Sequence, residues 1–164
     1  MPLNAAYAGR QYAPDAPYVV GREKIREFAD AVGSTHPAHH DVAHARGLGY
    51  PDVVAPPTFA VVIAQRTEAQ LITDPDAGID FSRVVHADER FTHHRPLVAG
   101  DRITTVLHVD RVIERSGLAM VTTRCELYAL PAELPDDVAP VDVTSLTDHV
   151  ATVTSTLAIR GADA

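Results

Sequence analysis

The chain has a single cysteine, Cys125, in 164 residues. No intrachain disulfide can form, and metal sites built on paired or four thiolates are excluded. That usage fits a reducing cytoplasm. Cations are also sparse: 14 Lys and Arg stand against 22 Asp and Glu, for a net charge of −8, and they are scattered rather than gathered in a stripe. Such a surface cannot neutralise a phosphate backbone, so no nucleic-acid partner is expected. No 18-residue apolar stretch occurs, and Met1 to Tyr12 has no basic region leading into an apolar run. Neither a membrane span nor an export signal is expected. Gly47 and Gly49 belong to no G-x-G-x-x-G or Walker pattern, so no cofactor is implied.

What is present is ordinary globular material, 46% hydrophobic and 22% charged, in a length that suits one domain over residues 1–164. Ile25, Phe28, Ala29 and Val32 recur at i, i+3, i+4, i+7 with charged residues between them, which predicts an amphipathic helix over Gly21 to Gly33. Gly33 stands at a left-handed cap position and Pro37 prevents the helix from resuming, so a loop begins near Ser34. From Thr58 to Ile72 the run is apolar almost all round in its first half, the mark of a helix wrapped by other structure. Pro56 and Pro57 suit its first turn. Gln65, Arg66, Thr67 and Glu68 are expected to bring its second half to the surface.

The remainder reads as strands at about 83–94, 103–113, 118–128 and 151–159, with a short one at 18–20. Alternation puts Ala119, Val121, Thr123, Cys125 and Leu127 on one face, and Ala151, Val153, Ser155, Leu157 and Ile159 on another. Arg115-Ser116-Gly117 supplies a hairpin turn. An acidic loop about 131–147, with Glu133, Asp136, Asp137, Pro135 and Pro140, interrupts the strands and is most simply a solvated excursion. The class is α+β. Antiparallel strands following one apolar helix bury both most simply by curling the sheet around the helix, which is the hot-dog fold. The sheet edge left over calls for a second hot dog.

Two passages carry a family resemblance: GREKIREFADAVGSTHPAHHDVAHARGLGYPDVVAPPTF, and the later HADERFTHHRPLVAGDRI. Together they resemble the MaoC-like hydratases and dehydratases, in particular the group related to the dehydratase domain of type I fatty acid synthases. The likeness covers most of the chain. Active members carry an Asp, an Asn-Pro two residues on, and a His five residues after the Asp. On this chain His36-Pro37 falls on the Asn-Pro, His39 on the catalytic His and Ser34 on the Asp. Serine cannot by itself titrate near neutrality or pass a proton on. The family also meets the thioester oxyanion with backbone N–H groups at the start of the buried helix, commonly at a Gly after a His. Here the positions read Pro56-Pro57, and proline has no N–H to give.

The resemblance therefore implies a subunit of a (3R)-3-hydroxyacyl-thioester dehydratase or enoyl hydratase acting on ACP- or CoA-linked chains. This chain would shape the acyl site with Pro56, Pro57, Thr58 and Phe59, while a MaoC-like partner brings the intact Asp and His. A self-sufficient homodimeric hydratase or thioesterase using His39 is the alternative, and a non-enzymatic acyl-thioester binder the third. Simpler roles stand beside these. His39 shares a short loop with His36, His40 and His44, where agreement with a motif can arise by chance. His40 and His44, spaced i, i+4, could ligate zinc with His36 or Asp41, yet a polar helix end explains them without a metal. His93 and His94 are adjacent in a predicted strand and should face opposite ways. Asp101 after Gly100 reads as turn chemistry, and Cys125 as a small buried hydrophobe.

Overall fold

The computed structural model describes residues 4–14, 16–115, 117–135 and 142–160. In chain order they form β1 (Gln11–Tyr12), β2 (Tyr18–Val19), α1 (Arg22–Ala31), α2 (Val42–Gly47), α3 (Ala60–Thr73), β3 (Val84–His93), β4 (Arg102–Arg115), β5 (Leu118–Ala129) and β6 (His149–Arg160). The strands make one antiparallel sheet in the order β1-β4-β5-β6-β3, with β2 also on β4. Helix α3 packs on β1, β4, β5 and β6, so the sheet curls around it as the hot-dog fold requires. The alternating residues read as inward on β5 and β6 are all buried.

Helix α1 buries Ile25 and Ala29. It closes at Gly33, whose φ of 69° is open to a residue without a Cβ, and the Ser34 N–H reaches back to the Ala29 carbonyl at 2.8 Å. Val32 departs from the predicted apolar stripe. It lies in the cap after the last helical residue and is 51% exposed.

Helix α3 starts two residues later than the sequence suggests, because the Phe59 N–H bonds to the Pro56 carbonyl and makes residues 56–59 a turn. Its second half corrects a second expectation. Gln65 and Arg66 are exposed, but Thr67 and Glu68 are buried at 1% and 2%. Helical spacing puts them on the face of Ile63, Ala64 and Leu71, and the sheet supplies polar partners there. The Thr67 and Thr105 hydroxyls are 2.6 Å apart, and the Thr123 hydroxyl donates to Glu68 Oε1 at 2.8 Å. Pairing offsets the cost of burying the hydroxyls. Val61 and Val62 are half-buried rather than fully wrapped.

Strand β1 was not predicted, since two residues are too few to show a period. In the acidic loop the described residues 131–135 and 142–147 form no strand, with a 3-10 turn at Val143–Ser145. Arg102 holds the Leu134 and Pro135 carbonyls at 2.5 and 2.6 Å, so this end of the loop is tied to the sheet. Asp136, Asp137 and Pro140 lie outside the described residues.

Candidate functional site

The segment between α1 and α3 is fixed by bonds that its own residues make. Asp41 caps α2, accepting from the N–H groups of Ala43 at 2.7 Å and His44 at 3.1 Å. The His44 and Ala43 N–H groups hold its carboxyl below the usual range. Asp52 accepts both arms of the Arg22 guanidinium at 2.8 and 2.7 Å, and that pair brings its pKa down to about 2. Residues 53–55 are then threaded between two neighbours. The Val54 N–H bonds to the Ala38 carbonyl at 2.9 Å and the Ala55 N–H to the Leu97 carbonyl at 2.8 Å.

This threading orients His39. The ring is buried, and Nδ1 lies 2.6 Å from the Val54 carbonyl oxygen. A carbonyl only accepts, so Nδ1 carries the proton and donates, which leaves the Nε2 lone pair bare in the neutral ring. His36 lies beside it with ring centroids 5.9 Å apart, and its Nδ1 accepts from the Ala38 N–H at 3.2 Å. Both line a cleft of about 720 Å³. Apolar wall comes from Ala38, Leu48, Val54, Ala55, Pro56 and Leu97, and polar atoms from Tyr50, His93, His94 and Arg95.

The predicted residues divide. His39, Pro56 and Pro57 lie in the cleft wall together. Ser34 does not line it: the residue is half-buried, its N–H closes α1, and its carbonyl accepts from His40 Nε2 at 3.1 Å. Thr58 is exposed outside the cleft. Phe59 is 0% exposed in the core, edge-on to Phe28 with centroids 5.4 Å apart. His40 and His44 do not share a helix, since α2 begins at Val42.

The opposite wall was missed as a site, although HHRP was part of the passage that carried the resemblance. His93 and His94 both face the cleft despite their adjacency, because β3 ends at His93 and the chain turns. His93 Nε2 donates to the Pro57 carbonyl at 2.7 Å and so joins the two walls. His94 packs on His149 at 4.2 Å, and His149 stacks on Tyr128 at 4.7 Å. Arg95 is fully engaged, forked between Asp101 at 2.9 and 3.0 Å and Asp148 at 2.9 to 3.2 Å. Those carboxylates, Asp148 first, raise the guanidinium well above its usual range, which leaves it a strut rather than an anion receptor. Asp101 also takes the Val98 N–H at 2.9 Å, the turn role read from sequence. Among the described residues no carboxylate lines the cleft.

No helix of the described residues is long and apolar enough to cross a membrane. Residues 6–129 match the family model of the FAS1-like dehydratase domain region. A UPF0336 protein of Clavibacter michiganensis subsp. michiganensis is 49% identical over 164 residues, the whole of both chains. The solved C-terminally truncated HadBC (3R-hydroxyacyl-ACP dehydratase) complex of Mycobacterium tuberculosis contains a chain 31% identical. It superposes with a TM-score of 0.75 over 93% of this chain and 96% of that one. A structure described as a MaoC-like dehydratase, also 31% identical, superposes with a TM-score of 0.79 over 96% of this chain and 43% of that one. With the curled sheet around α3 and the cleft at the end of that helix, these likenesses agree: the chain belongs to the FAS1-like dehydratase-region family of MaoC-like hot-dog proteins.

Proposed function

We propose that this chain is the supporting, substrate-binding subunit of a (3R)-3-hydroxyacyl-thioester dehydratase or enoyl hydratase, acting on ACP- or CoA-linked chains. A second MaoC-like chain brings the intact Asp and His. The observation that carries this reading is a cleft of about 720 Å³ with apolar walls and several imidazoles but no carboxylate among its described lining residues. The volume suits an acyl chain. Reversible hydration needs a base for the α-proton and a second group to handle the β-hydroxyl or water. His39 fits one role, and Ser34, off the cleft, fills neither. Pro57 has no N–H for the thioester oxyanion, and losing one such donor costs ~10²–10³ in rate. The HadBC structure is itself that of a complex described as a 3R-hydroxyacyl-ACP dehydratase, which is the kind of assembly proposed.

The test is hydration of crotonyl-CoA by the purified chain, alone and mixed with a MaoC-like chain that carries an intact Asp-x-Asn-Pro-x-His. Little turnover is expected alone and clear turnover in the mixture. Robust hydration by the chain alone, abolished by His39→Ala, would establish the second reading in its hydratase form, and release of free CoA its thioesterase form. The hydrogen bond from His39 Nδ1 to the Val54 carbonyl is what favours that alternative, since it leaves Nε2 as the acceptor of a neutral ring that lines the cleft.

A further inference from the structure

Between Val54 and Pro57 the cleft wall offers no backbone donor to a ligand. The Val54 and Ala55 N–H groups are spent on the Ala38 and Leu97 carbonyls, Pro56 and Pro57 have none, and the next buried N–H, of Phe59, closes the turn onto Pro56. A thioester carbonyl lying against this wall needs a side-chain donor. Several of the polar side chains that line the cleft are already committed. His39 Nδ1 donates to the Val54 carbonyl, His93 Nε2 to the Pro57 carbonyl, and Arg95 is forked between Asp101 and Asp148. What His39 presents in its neutral ring is the Nε2 lone pair, and a carbonyl oxygen cannot pair with a second acceptor.

His36 has the opposite tautomer. A backbone N–H only donates, so His36 Nδ1, which takes the Ala38 N–H at 3.2 Å, carries no proton. The ring's one proton is therefore on Nε2, and that N–H has no partner among the described residues. The ring lines the cleft with His39 and His44 beside it, at centroid distances of 5.9 and 5.8 Å. His36 is exposed, whereas His39, Val54, Ala55 and Leu97 are buried. That gradient suits an acyl thioester whose tail runs inward along the apolar wall while its carbonyl stays nearer solvent.

We propose that the His36 Nε2–H is the hydrogen-bond donor for the thioester carbonyl, in place of the backbone N–H that proline cannot supply at residue 57. The proposal rests on the substrate-binding reading above and names the residue that holds the thioester. No carboxylate lines the cleft among the described residues, so this donor binds the acyl group without completing the proton transfers. Tyr50 and His94 also line the cleft, and among the described residues no hydrogen bond engages their side chains. No neighbour fixes either as a donor, as Ala38 fixes His36, and they serve as controls.

The experiment compares two ligands that differ in one group. Isothermal titration calorimetry of the full chain is run with butyryl-CoA and with S-butyl-CoA, a thioether in which a methylene replaces the carbonyl. The wild type should bind the thioester at least about fivefold more tightly, the effect of one neutral hydrogen bond. His36→Phe keeps a ring and removes both nitrogens. His36→Asn puts its amide where Nδ1 stands, which keeps the cap on Ala38 and leaves no atom at the Nε2 position. In both variants the two ligands should bind within about twofold of each other. Tyr50→Phe and His94→Phe should keep the wild-type preference. Infrared difference spectra with a ¹³C-labelled thioester carbonyl should put the bound stretch at lower frequency in the wild type than in His36→Phe. His36 is exposed, so its variants should fold, and their melting temperatures check this. No preference in the wild type, an unchanged preference in either His36 variant, or its loss in Tyr50→Phe or His94→Phe would overturn the assignment to His36 and leave the substrate-binding reading standing. Failure of the wild type to bind either ligand would remove both.

Discussion

Replacing Phe59 by Ala decides whether this ring serves the acyl site or the core. The ring is fully buried and meets Phe28 edge-on at 5.4 Å. Truncating a buried Phe costs ~3–5 kcal/mol, of which the edge-to-face pair accounts for ~0.5–1.5 kcal/mol beyond its area. A domain of this size holds about 5–15 kcal/mol in all, so the loss is a large share of the total. Each kcal/mol lowers the melting temperature by about 2–4 °C in this size class, so a fall of about 6–20 °C is expected. Scanning calorimetry of wild type and variant measures it. Repeating the scans with saturating crotonyl-CoA separates the two roles. If Phe59 belongs to the core, the ligand-induced rise should be the same in both proteins. A fall of under about 3 °C together with a lost ligand-induced rise would refute the core assignment and return Phe59 to the substrate wall.

Arg22→Gln should destabilise the protein only slightly at pH 6, because the Arg22 side chain is half exposed and solvent screens the pair. Arg22 depresses the Asp52 pKa to about 2, so the contribution is complete above the unfolded value of ~3.9 and disappears as pH falls through about 2. Urea titrations of wild type and variant should therefore differ at pH 6 and converge near pH 2, and a gap that widens on acidification would contradict the assignment. The Cys125 thiol is 1% exposed, and burial first, then Glu68 and Glu126, pushes its pKa up. An aromatic disulfide reagent should leave it untouched in the native protein and titrate it fully in denaturant; rapid native labelling would place it in an accessible site. Ser34→Asp, Pro57→Gly and the double variant should all fail to hydrate crotonyl-CoA alone, since residue 34 lies off the cleft. Turnover by the folded double variant would show that a carboxylate at residue 34 reaches His39.

The strands were legible because β5 and β6 bury one face only, and a period of two survives wherever burial alternates. Helix α3 was harder. Its apolar start announced burial, but Thr67 and Glu68 read as surface because the groups that satisfy them, Thr105 and Thr123, lie far along the chain in strands that show ordinary alternation. A local pattern cannot display a partner 38 or 55 residues away. The cleft was legible on one wall for a related reason. His39, Pro56 and Pro57 lie close in sequence, while the wall of His93 to Leu97 is joined to them by the Ala55 N–H to the Leu97 carbonyl and by His93 to the Pro57 carbonyl. Those bonds use backbone groups that every sequence possesses, so side-chain identity does not announce them. The position of Thr58 and Phe59 off the cleft has a geometric source. Phe59 already has helical angles, φ −58° and ψ −30°, and each helical residue turns the side chain by about 100°. The turn at residues 56–59 then sends the Phe59 ring into the core beside Phe28, away from the wall that Pro56 and Pro57 line.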